Sequence, residues 1–249
     1  MGLHADPPGS SVRGGIGDAR GFDREKTIMV RFRDRRDAGR RLAAALRSEV
    51  GRDVLVLGLA RGGVPVAYEV ARRLRAPLDV LVVRKLGLPG QEELAMGAIG
   101  PGGAMLLNEQ VVRPLQVPKA VIDRVAAREQ REVERREREY RGGRPVLDVR
   151  GRHVVVVDDG LATGASMRAA VASLRKQGAR RITVAVPVGS PESCEDLLAE
   201  ADDVLCMAAP ESFCAIGPFY EDFSPTSDDE VRDLLARGQP WPGTITRTP

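Results

Sequence analysis

The chain has 249 residues, 43% of them hydrophobic but only 4% aromatic, enough for one good-sized aliphatic core and a small appendage. Lys and Arg number 38 against 35 Asp and Glu, a formal net charge of +3, so the surface suits anionic substrates without marking a nucleic-acid binder. The three cysteines form no CxxC pair, no apolar run approaches the ~18 residues of a spanning helix, and no apolar leader is visible; this argues against a disulfide scaffold, a zinc centre and a membrane span, and for the cytoplasm.

Residues 1–28 are rich in Gly, Pro, Ser, Arg and Asp, show no period, and are expected to be disordered. From Asp34 to Val50 the residues Ala38, Leu42, Ala45 and Leu46 share one helical face. Arg31, Arg33, Arg35, Arg36, Arg40 and Arg41 crowd the same region and read as its solvated side. Residues 53–59, DVLVLGL, have the unbroken apolar character of a strand buried on both faces. They lead through Ala60-Arg61-Gly62-Gly63-Val64-Pro65 into a helix marked by Val66, Ala67, Val70, Ala71 and Leu74. A strand, a glycine turn and a helix N-terminus can cradle an anion, and Gly62 and Gly63 supply backbone freedom there; a plain strand-to-helix turn is the other reading. Residues 78–83, LDVLVV, give a third strand that ends in Arg84-Lys85. After the loop-like LGLPGQEELAMGAIG, short strands at 96–100 and 104–107 flank a Pro-Gly-Gly turn. A long charged helix runs from Pro118 to Arg141, with Val121, Val125, Ala126, Val133 and Tyr140 as its apolar edge and Gly142-Gly143 as its stop. Its interleaved glutamates speak for a solvated helix, over the sheet or at a subunit contact, and against RNA.

The chain is organised around residues 154–166, VVVVDDGLATGAS. Four valines without polar alternation are again a strand buried on both faces. Met167, Ala170, Val171 and Leu174 then fall at helical spacing. Asp158 and Asp159 sit at the carboxyl end of the strand, where open α/β sheets bind ligands. Gly160, Leu161, Ala162, Thr163, Gly164, Ala165 and Ser166 make the turn: Gly160 and Gly164 can take φ > 0, and Thr163 and Ser166 add hydroxyls to backbone amides that face a phosphate. Two carboxylates would repel the phosphate itself but accept hydrogen bonds from the two hydroxyls of an attached ribose. The site thus reads as one for ribose 5-phosphate; the other reading is an acid pair that caps the next helix. His153, ahead of the strand, reads as structural. A further strand (181–186), a helix (191–201) and the strand VLCM (204–207) follow.

An apolar strand, two acids, two variable residues and a Thr/Gly-rich loop ending in Ser resemble the phosphoribosyl pyrophosphate (PRPP) motif of the type I phosphoribosyltransferases. Over residues 30–237 the pattern is most similar to stand-alone bacterial members. The resemblance implies an α/β fold, a parallel sheet with helices on both faces and a small C-terminal hood, with the core at 29–209 and the hood and tail at 210–249. It implies transfer of ribose 5-phosphate from PRPP to a purine- or pyrimidine-type nitrogenous base, with Mg²⁺ and with release of pyrophosphate. On this basis Asp158 and Asp159 hold the ribose hydroxyls and, directly or through water, Mg²⁺, while residues 160–166 take the 5′-phosphate. Arg61, Gly62 and Gly63 take pyrophosphate in a loop whose peptide is often cis. Arg84 and Lys85 stabilise the leaving group, residues 85–107 form a mobile lid that carries Glu92 and Glu93 on its solvent side, and Phe213 and Phe219 in the hood face the base. Ala162 stands where 6-oxopurine members carry an acid; this departure points toward adenine or uracil members and leaves the acceptor open.

The tail is aromatic-rich, with Phe213, Phe219, Tyr220, Phe223 and Trp241, and its SPTSDDEVRDLL starts a helix capped by Thr226 or Ser227. Family lids and active sites often lie near a subunit contact, so the resemblance also allows a homodimer. A PRPP-sensing regulator of the same fold is the alternative function; nothing before residue 29 resembles the winged helix such regulators add, and no ATP site supports a PRPP-synthesising kinase.

Overall fold

The computed structural model describes residues 30–46 and 54–238. The segment expected to be disordered, Asp53 and Trp241 lie outside them.

Five parallel strands form the central sheet in the order β2-β1-β6-β7-β8: β1 (Val54–Leu59), β2 (Leu78–Leu81), β6 (His153–Val157), β7 (Arg181–Val186) and β8 (Asp203–Cys206). The apolar runs are continuous because both faces are covered. Val54, Val56, Val80, Val155 and Val157 point to one side, onto α1 (Arg35–Ala45), α2 (Gly63–Leu74), α4 (Lys119–Arg141) and α7 (Asp228–Arg237). Leu55, Leu57, Val154, Val156, Ile182 and Val184 point to the other, onto α5 (Ala165–Lys176) and α6 (Pro191–Leu197). From β1 the chain winds outward to β2; from β6 it winds the opposite way to β7 and β8. The winding reverses between β1 and β6, where such sheets bind ligands at the strands' carboxyl ends.

The glycine-bearing stretch after β2, expected to be loop-like before residue 96, is pleated. β3 (Arg84–Leu88), β4 (Gln91–Ile99) and β5 (Met105–Leu107) make a small antiparallel sheet, joined by Gly90 at φ 83° and by a 3₁₀ turn at Pro101–Gly103. Leu86 and Met96 are fully buried in it, and the turn is pinned when Ser173 Oγ of α5 donates to Pro101 O at 2.8 Å. The short α3 (Glu109–Val112) follows.

The long helix ends at Gly142 in the left-handed conformation, as expected, but its buried stripe is Ile122, Val125, Glu129, Val133, Glu137 and Tyr140 rather than one that includes Val121. It is anchored by charge as well as by apolar contact. Arg141 Nε lies 3.0 Å from both Asp79 carboxylate oxygens, and its Nη2 donates to Val80 O, with Glu137 3.2 Å from Nη1. In α1 the buried face is Ala38, Gly39, Leu42 and Ala43, with Ala45 exposed. Ser227 caps α7 by accepting from the Glu230 amide, and the apolar side of that helix joins the main core. The appendage is therefore smaller than the 210–249 stretch: Tyr220 packs with Phe32 and Ala38, beside Ile216, Phe219 and Phe223. The N-terminal segment is sewn to it, since Phe32 N donates to Phe219 O and Glu221 N to Phe32 O, both at 2.8 Å.

Candidate active site

Two helix N-termini meet at the point where the winding reverses. Gly62 caps α2 and Gly164 caps α5, each helix is 12 residues long, and neither has a side-chain cap. The first-turn amides of α5 are thus left for an external acceptor, whereas in α2 Val64 N donates to Arg61 O and Pro65 has no N–H, which leaves Gly63 N; both dipoles favour an anion. Gly164 is left-handed, at φ 70°, a conformation that a side chain resists. Gly62 has ordinary helical angles, so the expected backbone freedom is not what it supplies. A Cβ there would collide with Asp159 Oδ2, and one on Gly63 would come within 2.5 Å of Val157 O; the two loops touch through their glycines. Gly160 has no positive φ either: it makes room for Ile216 of the hood, whose side chain would lie 2.6 Å from a Cβ. The Ala60–Arg61 peptide before α2 is cis.

Asp158 and Asp159 directly follow β6, beside Gly63 and Gly62. The Asp159 amide donates to Asp158 Oδ1 at 2.8 Å, and Asp159 Oδ2 receives Arg35 Nε at 2.8 Å. Neither carboxylate caps α5, because the cap position is Gly164 with no side-chain bond. Burial, reinforced by the neighbouring Asp159 charge, holds the Asp158 carboxyl well above the usual carboxylate range. Asp159 is raised by burial too, with Arg35 opposing the shift. Tyr220 Oη donates to Asp159 O at 2.6 Å, and burial pushes its phenol up.

Past the acids, Leu161 is buried and donates to Val188 O, while Ala162 and Thr163 are exposed. Ser190, the N-cap of α6, and Ser193 in its first turn both donate to Ala162 O, at 3.0 and 2.7 Å, and so hold the loop. Ala165 and Ser166 form the first turn of α5. Arg61 is half-exposed, its Nη1 3.7 Å from Asp228 at the start of α7. Arg84 is engaged elsewhere, with Nε 2.9 Å from Glu129 of α4, and Lys85 is exposed. Phe213 and Phe219 stack on each other with centroids 5.8 Å apart. His153 is buried, with Nε2 2.8 Å from Thr183 Oγ1. Arg35, read from sequence as part of a solvated face, has a side chain only 12% exposed and belongs to the site. Among the described residues no three His, Cys, Asp or Glu side chains are grouped to hold a metal, and no helix is long and apolar enough to cross a membrane.

The phosphoribosyl transferase domain model matches residues 32–102 and 98–223. A Mycobacterium tuberculosis H37Rv protein, Rv0571c, provisionally named a phosphoribosyl transferase, is 49% identical over 209 residues. That match takes in 84% of this chain but only 47% of the relative, so the chain spans about half the length of the curated relative it matches. A uracil phosphoribosyltransferase of Staphylococcus saprophyticus is 46% identical over 57 residues, 23% of this chain and 27% of its own. The crystal structure of TT1426 from Thermus thermophilus superposes with a TM-score of 0.72 at 47% identity, covering 84% of this chain and 99% of that one. The match to the domain model spans the sheet, both glycine loops and the acid pair, and the chain belongs to the phosphoribosyl transferase domain family.

Proposed function

We propose that the chain transfers the ribose 5-phosphate of PRPP to a nitrogenous base and releases pyrophosphate. What supports this reading is the meeting of two uncapped helix N-termini with a pair of adjacent carboxylates at one sheet crevice. The α5 turn, residues 162–166, offers amides and hydroxyls to the 5′-phosphate. Asp158 and Asp159 accept from the ribose hydroxyls and so orient C1 toward the base. The α2 turn faces the pyrophosphate, with Arg61 free to swing from its loose pairing with Asp228. Lys85 is exposed at the start of the β3–β4 hairpin, where it would bring positive charge to the leaving group; Arg84 would do so on leaving Glu129.

Two carboxylates, with no third ligand grouped beside them among the described residues, suit Mg²⁺, which commonly keeps waters and takes its remaining oxygens from substrate phosphates. Asp158 and Asp159 would hold it, and when bound it would offset pyrophosphate charge. Ala162 offers no acid to a 6-oxopurine, which points toward an adenine- or uracil-type acceptor and leaves its identity to the base panel.

The test is isotope-labelled PRPP with a panel of bases, read as Mg²⁺-dependent pyrophosphate release. Asp158→Asn and Asp159→Asn should each lower turnover about 10- to 100-fold, the loss of one charge-assisted hydrogen bond of ~1.5–3 kcal/mol. Tight PRPP binding without turnover on any base would instead make the protein a PRPP sensor.

A further inference from the structure

Arg35 reaches three parts of the site at once. Its Nε is 2.8 Å from Asp159 Oδ2, and its Nη1 donates to Ser224 O at 2.7 Å. Its guanidinium carbon lies 4.1 Å from the centroid of Phe223, whose ring is 5.0 Å from that of Tyr220. A Cβ on Gly62 would come 3.3 Å from Nε, so the same group also borders the α2 turn. One guanidinium thus joins the acid pair, the glycine turn and the hood. We propose that Arg35 is a positioning residue for PRPP: it locks the Asp159 carboxylate and reduces the charge that the acid pair presents to a polyanionic substrate. This rests on the reading of the site as a PRPP site.

The argument is electrostatic and geometric. Two adjacent carboxylates, Asp159 buried and Asp158 partly so, repel each other and any phosphate nearby. A cation on Asp159 Oδ2 removes one of those charges and leaves Asp158 and the other Asp159 oxygen for the diol. Only a planar fork satisfies a carboxylate, a carbonyl and an aromatic face in different directions; a lysine ammonium at this position could keep the charge but not the three contacts. The placement is also economical in the fold. Asp34 caps α1 by accepting from the Asp37 amide at 2.7 Å, which fixes the next residue, Arg35, at the start of the helix.

The experiment is a double-mutant cycle on the full chain, with PRPP affinity read by calorimetry in Mg²⁺ for wild type, Arg35→Gln, Asp159→Asn and the double variant. Thermal unfolding without ligand runs in parallel. Arg35→Gln should weaken PRPP about 10-fold or more, because it leaves a buried carboxylate unpaired. The double variant should bind no worse than Asp159→Asn alone, since an amide needs no counter-charge. If the two losses multiply, Arg35 acts independently of Asp159 and the proposal is overturned, whatever happens to thermal stability. Should Arg35→Gln fail to fold, Arg35→Met, which also removes the charge, replaces it in the same cycle with the same criterion. Wild-type protein that binds no PRPP would overturn the PRPP reading itself, a result distinct from multiplicative losses in a protein that binds.

Discussion

At the scale of single residues, burial decides which charges matter. His153 is the only histidine among the described residues, and its imidazole is held below the ordinary value of 6.5 by burial and then by Arg181. Arg180 adds to that effect, while Asp203 and Asp202 oppose it. The unfolded chain therefore binds a proton more readily than the folded one. Stability from this group is complete above pH 6.5 and is lost as pH falls toward its folded-state value. Subtracting the unfolding free energies of His153→Gln from those of the wild type across pH 5–8 should leave a difference that shrinks on acidification; a flat difference would contradict the assignment. The acid pair and its glycines were legible in the sequence because their spacing is local. Arg35 was not, because six arginines crowd residues 31–41 and only the fold selects the one that faces Asp159 across the chain. Ser190 and Ser193 were hidden for the same reason: their partner, Ala162 O, is a backbone atom that no side-chain pattern marks.

At the scale of elements, periodicity located the strands of the main sheet to within a residue or two, since each apolar run is covered on both faces. It failed where polar residues are buried. Glu129, Glu137 and Arg141 sit on the inner side of α4, so its apolar count understates how firmly it is docked. Arg141, with a side chain 7% exposed against 6% for Asp79, neutralises two carboxylates. Arg141→Met should leave both without a cation and cost about 3–5 kcal/mol, measured by urea unfolding. A loss below about 1 kcal/mol would mean that water reaches this network freely. The β4–β5 hairpin around Pro-Gly-Gly was legible, but β3 and the first half of β4 were read as a loop for a related reason. Its glycines suggest freedom, yet Gly97 lies where β5 backbone approaches too closely for any side chain, and Leu86 and Met96 fill the space beneath.

At the scale of the molecule, the appendage is not an independent flap. Residues 30–33 and 219–222 are joined by backbone hydrogen bonds, and Phe32 lies 5.4 Å from Tyr220, centroid to centroid. Phe32→Ala should open this seam at a cost of about 3–5 kcal/mol. Hydrogen exchange should then show lost protection at the Glu221 and Asp222 amides while the β6 amides stay protected; uniform loss would mean the seam and the sheet unfold as one unit. The sheet's winding has a different consequence. Strand order 2-1-6-7-8 changes direction a single time, so the described chain offers a single crevice flanked by helices from opposite faces of the sheet. Under the proposed function, occupancy follows from topology: the described fold takes one sugar phosphate at that crevice, whatever number of copies associate.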